Sequence, residues 1–340
     1  MTDELPERLL AVLRTATGDP HLDFAAPPEP LTGGFWAELL AFRLAGAAAG
    51  LDGDLVARVM PDPAVARKET LVQAEVARRG FPTPKVRAAG GPDDGLDRAF
   101  MVMDRAPGTP LLGGLGGVSA FTRLPRLATT VPETLALTMS QLHRLDPGPL
   151  RSQLDAGLAV APTVTGLLEH LRALSQAHDR EDLAGAGRWL AANPPPAAAE
   201  VICHGDLHPF NLLAGPGGAA TVLDWSAALL GPRAYDVAFT TVILTDPPVL
   251  VPAPLRPVAG AAGRMLSRRF EHRYRRHSGV AIDPGSLRWH QALVRLRALV
   301  EVAGWDTTER ARRSSHPWLV SGPAFAARLS RLTGVRVRPH

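Results

Sequence analysis

Cysteine is almost missing from this chain of 340 residues. Cys203 stands alone, which excludes an intramolecular disulfide and fits a reducing compartment. Lysine is nearly as scarce: Lys68 and Lys85 are the only two, so the basic charge rests on arginine. Long apolar runs are also lacking. Val237 to Leu244 is closed by Asp246-Pro247-Pro248, well short of the ~18 residues that a membrane span needs. The opening Met1-Thr2-Asp3-Glu4-Leu5-Pro6-Glu7 is acidic and does not show the basic-then-apolar pattern of a signal peptide. The expectation is a cytoplasmic protein with no membrane partner.

What is present is the material of a globular protein with a sizeable core. The composition is 46% hydrophobic and 21% charged, and the length allows two sub-domains around one cleft. Net charge is only +4, but the excess is uneven: from Asp246 onward there are 17 arginines against six acidic residues. Arg268-Arg269 and Arg273-x-Arg275-Arg276 form a basic helical face. No aromatic interleaving or nucleic-acid motif accompanies it, so a solvated face is expected and nucleic acid is not a partner.

The chemistry is concentrated in His204-Gly205-Asp206-Leu207-His208-Pro209-Phe210-Asn211, followed by Val222-Leu223-Asp224-Trp225. Asp206-x-x-x-x-Asn211 has the spacing of a kinase catalytic loop, in which Asp takes the acceptor hydroxyl proton and Asn holds Mg²⁺. Asp224 ends an apolar run, where a strand would present a carboxylate to the same metal. The runs Asn211 to Ala214 and Ala220 to Leu223 flank Gly215-Pro216-Gly217-Gly218 and read as a hairpin, bringing Asp224 beside Asn211. His204, Asp206 and His208 also have an H-x-D-x-H form, but zinc needs three or four converging ligands, and His208 reads better as a loop histidine. Cys203 reads as a small apolar residue ending a buried strand.

Along the chain, Asp3 to Ala16 has the periodicity of an amphipathic helix. Gly33-Gly34 lies between two extended runs and can bring backbone N–H groups to a phosphate. Asp54 to Met60 reads as a strand and Ala64 to Arg79 as a helix, so that Glu69 can reach back to Arg58, a pairing that holds nucleotide α/β-phosphates in kinases. Arg98 to Asp104 is a buried strand running into the breaker Ala106-Pro107-Gly108, a hinge between lobes. Helices follow at Pro132 to Leu145, Val164 to Ala177 and Asp182 to Ala192, then a short strand at Glu200 to Cys203.

With Gly231-Pro232-x-x-Tyr235-Asp236 added, these motifs resemble the aminoglycoside phosphotransferase and choline kinase-like superfamily over roughly residues 30 to 240. The resemblance implies an α+β, bilobal protein-kinase-like fold with ATP or GTP bound between the lobes. Residues 1–106 would form a small nucleotide-binding lobe with a five-stranded antiparallel sheet and an extra helix at 1–17, and 107–340 a larger, mainly helical lobe. It implies Asp206 as catalytic residue, Asn211 and Asp224 as Mg²⁺ ligands, and nucleotide contacts at Gly33, Gly34, Arg58, Glu69, Met103, Asp104 and Ala106. His204 and Asp236 would support the loop, and Leu142-His143 is assigned to packing. Arg58 stands where many members carry lysine, and Gly33-Gly34 replaces a fuller glycine loop.

The activity implied is transfer of the γ-phosphate to a hydroxyl of a small molecule, with one or two Mg²⁺ ions. The acceptor could be an antibiotic (macrolide or aminoglycoside), a sugar or a metabolite; the arginine-rich C-terminal part favours a neutral or anionic one over a polycation. A kinase-like module that binds nucleotide without catalysis is the alternative. An acceptor-independent nucleotidase is another, while Trp225-Ser226 in place of Phe-Gly speaks against a protein kinase. Trp289 and Trp305 are expected in the core.

Overall fold

The computed structural model describes residues 4–31, 37–46, 50–111, 119–158, 162–215, 220–246, 256–306, 308 and 316–339. Two compact units share the chain. The first comprises Met1–Leu111, Gly148–Val160 and Phe210–Ala228; the second comprises Leu112–Pro147, Ala161–Pro209 and Leu229–His340. A single cut after residue 106 would place 210–228 in the helical part, whereas that hairpin belongs to the first unit.

The first unit begins with α1 (Glu4–Thr17) and the short strands β1 (Asp23–Phe24) and β2 (Glu29–Leu31). β3 (Glu38–Phe42), β4 (Leu44–Ala45), β5 (Leu55–Met60), α2 (Pro63–Arg78), β6 (Val86–Gly90), β7 (Ala99–Asp104) and β8 (Thr109–Pro110) follow. Five strands form an antiparallel sheet in the order β2-β3-β5-β7-β6, the sheet expected from sequence. β5 is buried along its whole length. That is the pattern of a strand covered on both faces. Successive side chains alternate, so Leu55, Ala57 and Val59 join the core that Leu9, Leu10 and Leu13 of α1 enter. Met60, one step out of phase, packs with Ala66 of α2. The same alternation sends Arg58 towards α2 rather than α1. α2 starts where Asp62 accepts hydrogen bonds from the Ala64 and Val65 N–H groups, with Pro63 in its first turn.

The second unit opens with α3 (Ser119–Leu142); α4 (Gly148–Gly157) returns to the first. α5 (Val164–Ala177), α6 (Glu181–Ala192) and β9 (Glu200–Cys203) lead to the motif, after which β10 (Leu212–Ala214) and β11 (Ala220–Val222) belong to the first unit. β12 (Leu229–Pro232), α7 (Arg233–Thr245), α8 (Arg256–Ser278), α9 (Pro284–Ala303) and α10 (Pro317–Thr333) complete the chain. β9 and β12 pair antiparallel, Cys203 opposite Leu229 and Glu200 opposite Pro232. α5, α6, α7, α9 and α10 enclose one core that includes Phe239, Leu293, Phe325 and both Trp289 and Trp305. No helix among the described residues is long and apolar enough to cross a membrane.

Candidate active site

In the first unit, the hairpin of β10 and β11 places Leu212 opposite Val222, and the Leu223 N–H donates to the Asn211 carbonyl at 2.9 Å. Asn211 and Asp224 therefore sit at neighbouring strand ends. The loop after α2 pins this hairpin: the Val222 N–H donates to Pro82 O at 2.8 Å, Thr83 Oγ1 donates to Val222 O, and Trp225 Nε1 donates to Thr83 Oγ1 at 2.9 Å. The Trp225 ring meets Phe81 edge to face at 5.7 Å.

Arg58 lies against this arrangement. Its Nε stands 3.2 Å from Glu69 Oε1 and its Nη2 3.2 Å from Asp224 Oδ1. Burial works to lower the Arg58 pKa, but the facing Glu69 and Asp224 carboxylates carry it above its usual value. Glu69 is fully buried, and desolvation pushes its carboxyl up against the pull of Arg58. Asp224 has φ of 62°, in the left-handed region, and its Oδ1 accepts the Ser226 N–H at 3.2 Å as well as the Ser226 hydroxyl. Its side chain remains 32% exposed, while the Trp225 that follows it is buried. An amide carbonyl and a carboxylate are hard oxygen donors of the type Mg²⁺ takes, and the pair fits that ion.

Of the remaining nucleotide-side residues, Met103 Sδ accepts from Gln73 Nε2 at 3.3 Å. The Asp104 carboxylate is held by the Arg87 fork at 2.6 and 3.0 Å, and the Asp104 N–H donates to Lys85 O. Ala106 follows β7 directly, with the Arg105 N–H bonded to Asp54 O. Gly33 and Gly34 lie outside the described residues.

In the second unit, β9 delivers His204, Gly205 and Asp206. Gly205 has φ of +75°, a turn that favours glycine. Asp236, fully buried on α7, accepts the His204 N–H at 2.8 Å and the Gly205 N–H at 2.7 Å. Burial acts to raise its pKa, and His143, His204 and the Gly205 N–H outweigh it, holding the carboxyl below its ordinary range. His204 is fully buried, and its Nδ1 accepts the Asp206 N–H at 3.3 Å. Asp206 is partly exposed, with His208 Nε2 3.7 Å from its Oδ2 and the His208 ring stacked on Phe239. Burying His204 leaves the H-x-D-x-H pattern without its three converging ligands.

His143, Cys203 and Asp236 place ligand atoms within 4.8 Å of one another. The cluster is a hydrogen-bonded one: His143 joins Asp236 Oδ2 through Nε2 at 3.1 Å and the Tyr274 hydroxyl through Nδ1 at 2.8 Å. Burial pushes the Cys203 thiol well up. His143 thus does more than pack, correcting the reading from sequence. Arg297 was also missed. Its Nη1 donates to Gly205 O at 2.9 Å, and its signal was one of two arginines, Arg295 and Arg297, inside the apolar run Leu293 to Val300.

Comparison with known proteins agrees with this geometry. The family model described as "Phosphotransferase enzyme family" matches residues 30–299. No curated protein sequence matches the chain. Among solved structures, a candidate aminoglycoside phosphotransferase from Ralstonia eutropha JMP134 is 19% identical, with 97% of each chain covered and a TM-score of 0.66. A thermostable mutant of aminoglycoside phosphotransferase APH(4)-Ia, in ternary complex with ADP and hygromycin B, is 18% identical over 96% of this chain and 98% of its own, with a TM-score of 0.58. Macrolide 2'-phosphotransferase MphH from Brachybacterium faecium is 19% identical over 92% of this chain and 99% of its own, with a TM-score of 0.55. At such identities the likeness establishes the fold, and the family match establishes the rest: the chain belongs to the phosphotransferase enzyme family and is a small-molecule kinase.

Proposed function

We propose that this chain transfers the γ-phosphate of ATP or GTP to a hydroxyl of a small molecule, with Asp206 as the group that orients the hydroxyl and receives its proton. The acceptor oxygen forms a bond to the γ-phosphorus, the bridging oxygen to the β-phosphate leaves, and the proton passes to Asp206. Asn211 and Asp224 would hold Mg²⁺, which neutralises phosphate charge when bound. Arg58, fixed by Glu69, binds the α/β-phosphates, and the strand end at Met103, Asp104 and Ala106 meets the base. The observation that carries this reading is the Arg58 guanidinium, within 3.2 Å of both Glu69 and the ligand carboxylate of Asp224. A cation so placed serves an anionic, metal-bound substrate. A non-catalytic module could use the same cation for nucleotide; what disfavours it is the retention of Asp206, Asn211 and Asp224 together.

For the acceptor, charge gives direction. In the second unit a groove of about 660 Å³ is lined by Arg264, Arg268, Arg269, His272 and Arg273 with no carboxylate among its lining residues. Together with the arginine excess of the C-terminal part, charge of this sign favours a neutral or anionic hydroxyl compound over a polycation. The solved relatives named for macrolide and aminoglycoside substrates make both compounds necessary members of the test panel. The test is ATP or GTP consumption with Mg²⁺ against a macrolide, an aminoglycoside, a neutral sugar and a hydroxy acid. Acceptor-stimulated turnover with the macrolide, sugar or hydroxy acid supports the reading. Turnover independent of every acceptor indicates a nucleotidase, and nucleotide binding without turnover indicates a module.

A further inference from the structure

α9 is buried along most of its length, yet carries Arg297 near its centre, with Leu296, Ala298, Leu299 and Val300 buried around it. A guanidinium in such a setting is costly unless its donors and its charge are both satisfied. Arg297 Nη1 donates to the Gly205 carbonyl at 2.9 Å and reaches the Tyr235 hydroxyl at 3.3 Å. The Gly205 carbonyl belongs to the peptide that joins Gly205 to Asp206, and the N–H of that same peptide donates to His204 Nδ1. The plane carrying Asp206 is therefore held at both ends, by a cation at its oxygen and by an imidazole at its nitrogen. One residue earlier, the Gly205 N–H is held by Asp236.

We propose that Arg297 is a positioning residue for phosphoryl transfer, fixing the Gly205–Asp206 peptide through a cationic donor at its carbonyl. The proposal rests on the role given to Asp206 above. Arg297 is half-buried; burial acts to lower its pKa, and Tyr235, Asp206 and Glu301 together raise it above the ordinary arginine value, so the guanidinium stays charged. A single nitrogen, Nη1, serves the carbonyl and the hydroxyl at once through its two N–H groups. A peptide free to rotate would swing the carboxylate, and misplacement by ~1 Å costs roughly a hundredfold in rate.

The experiment is a double-mutant cycle on the full chain: wild type, Arg297→Met, Asp206→Asn and the double variant, with kcat, nucleotide KM and thermal midpoint measured for each. Arg297→Met is expected to lower kcat about a hundredfold with KM for nucleotide within about threefold, and in the Asp206→Asn background to add less than about threefold. Fully multiplicative losses, or a folded Arg297→Met enzyme with wild-type kcat, would overturn the proposal. Arg297→Lys keeps the cation and guards against a variant that does not fold; it is expected to retain kcat within about tenfold. A folded Arg297→Lys enzyme with a loss as large as that of Arg297→Met overturns the role of the charge. If Asp206→Asn alone keeps wild-type turnover, the failure lies with Asp206 as the proton acceptor, not with Arg297.

Discussion

Arg58 reaches Asp224 directly, Nη2 to Oδ1 at 3.2 Å, while its Nε faces Glu69 at the same distance. One buried cation thus links the helix glutamate to the carboxylate proposed for the metal. Removing the cation takes the Arg58 counter-charge from two carboxylates, one of them fully buried. Arg58→Ala is expected to cost about 3–5 kcal/mol of stability, because breaking a buried pair strands a charge. Replacing Arg58 and Glu69 together by methionine should return most of that stability but not turnover. Chemical denaturation and steady-state kinetics on the same variants check the two parts separately.

Asp224 combines a left-handed backbone with the metal-ligand role proposed for it. Asparagine tolerates φ of 62° and keeps an oxygen for the Ser226 N–H. Asp224→Asn should therefore change stability by no more than about 1 kcal/mol while lowering Mg²⁺-dependent turnover at least about a hundredfold. A melting curve beside a Mg²⁺ titration of rate distinguishes the two effects.

Asp236 takes two backbone N–H groups and the His143 ring in a fully buried position. Asp236→Ala leaves those donors without an acceptor and is expected to cost about 3 kcal/mol or more. His143→Phe, which removes one of the three donors and leaves the Tyr274 hydroxyl without its partner, should cost less. Thermal unfolding of both variants gives the order.

His290 supplies a pH test of stability. Its ring is buried, its Nδ1 lies 2.8 Å from Ser286 O, and burial lowers its pKa to about 4. An unfolded histidine titrates near 6.5, so the folded state binds fewer protons between the two values. Stability is then fully present above about pH 6.5 and falls as pH drops towards 4, by about 3 kcal/mol in total. His290→Gln should flatten that part of the pH–stability curve, read by urea midpoints from pH 7.5 to 4.

Much of this was legible in the sequence because local rules carried it. The run at Leu55–Met60, apolar except for Arg58, signalled a strand, and the pattern from Ala64 to Arg79 signalled the helix after it. Glu200–Cys203 and the hairpin after Asn211 followed from turn letters and short apolar runs. The part that stayed hidden depends on long-range contacts. Nothing local shows that Arg297 meets Gly205, 92 positions away, or that Tyr274 closes on His143, 131 positions away. A charge in an apolar helix and a histidine on a helix stripe were visible as oddities, but their partners come only with the packing of α7, α8 and α9.

The central claim is that Asp206 receives the acceptor proton while the nucleotide is held by other residues. Asp206→Asn should lower kcat by about three orders of magnitude or more and leave the affinity for Mg²⁺–nucleotide within about threefold, measured by rapid-quench kinetics and by calorimetric binding on one preparation. Wild-type turnover in a folded Asp206→Asn enzyme, with the acceptor that supports the native rate, would contradict the account.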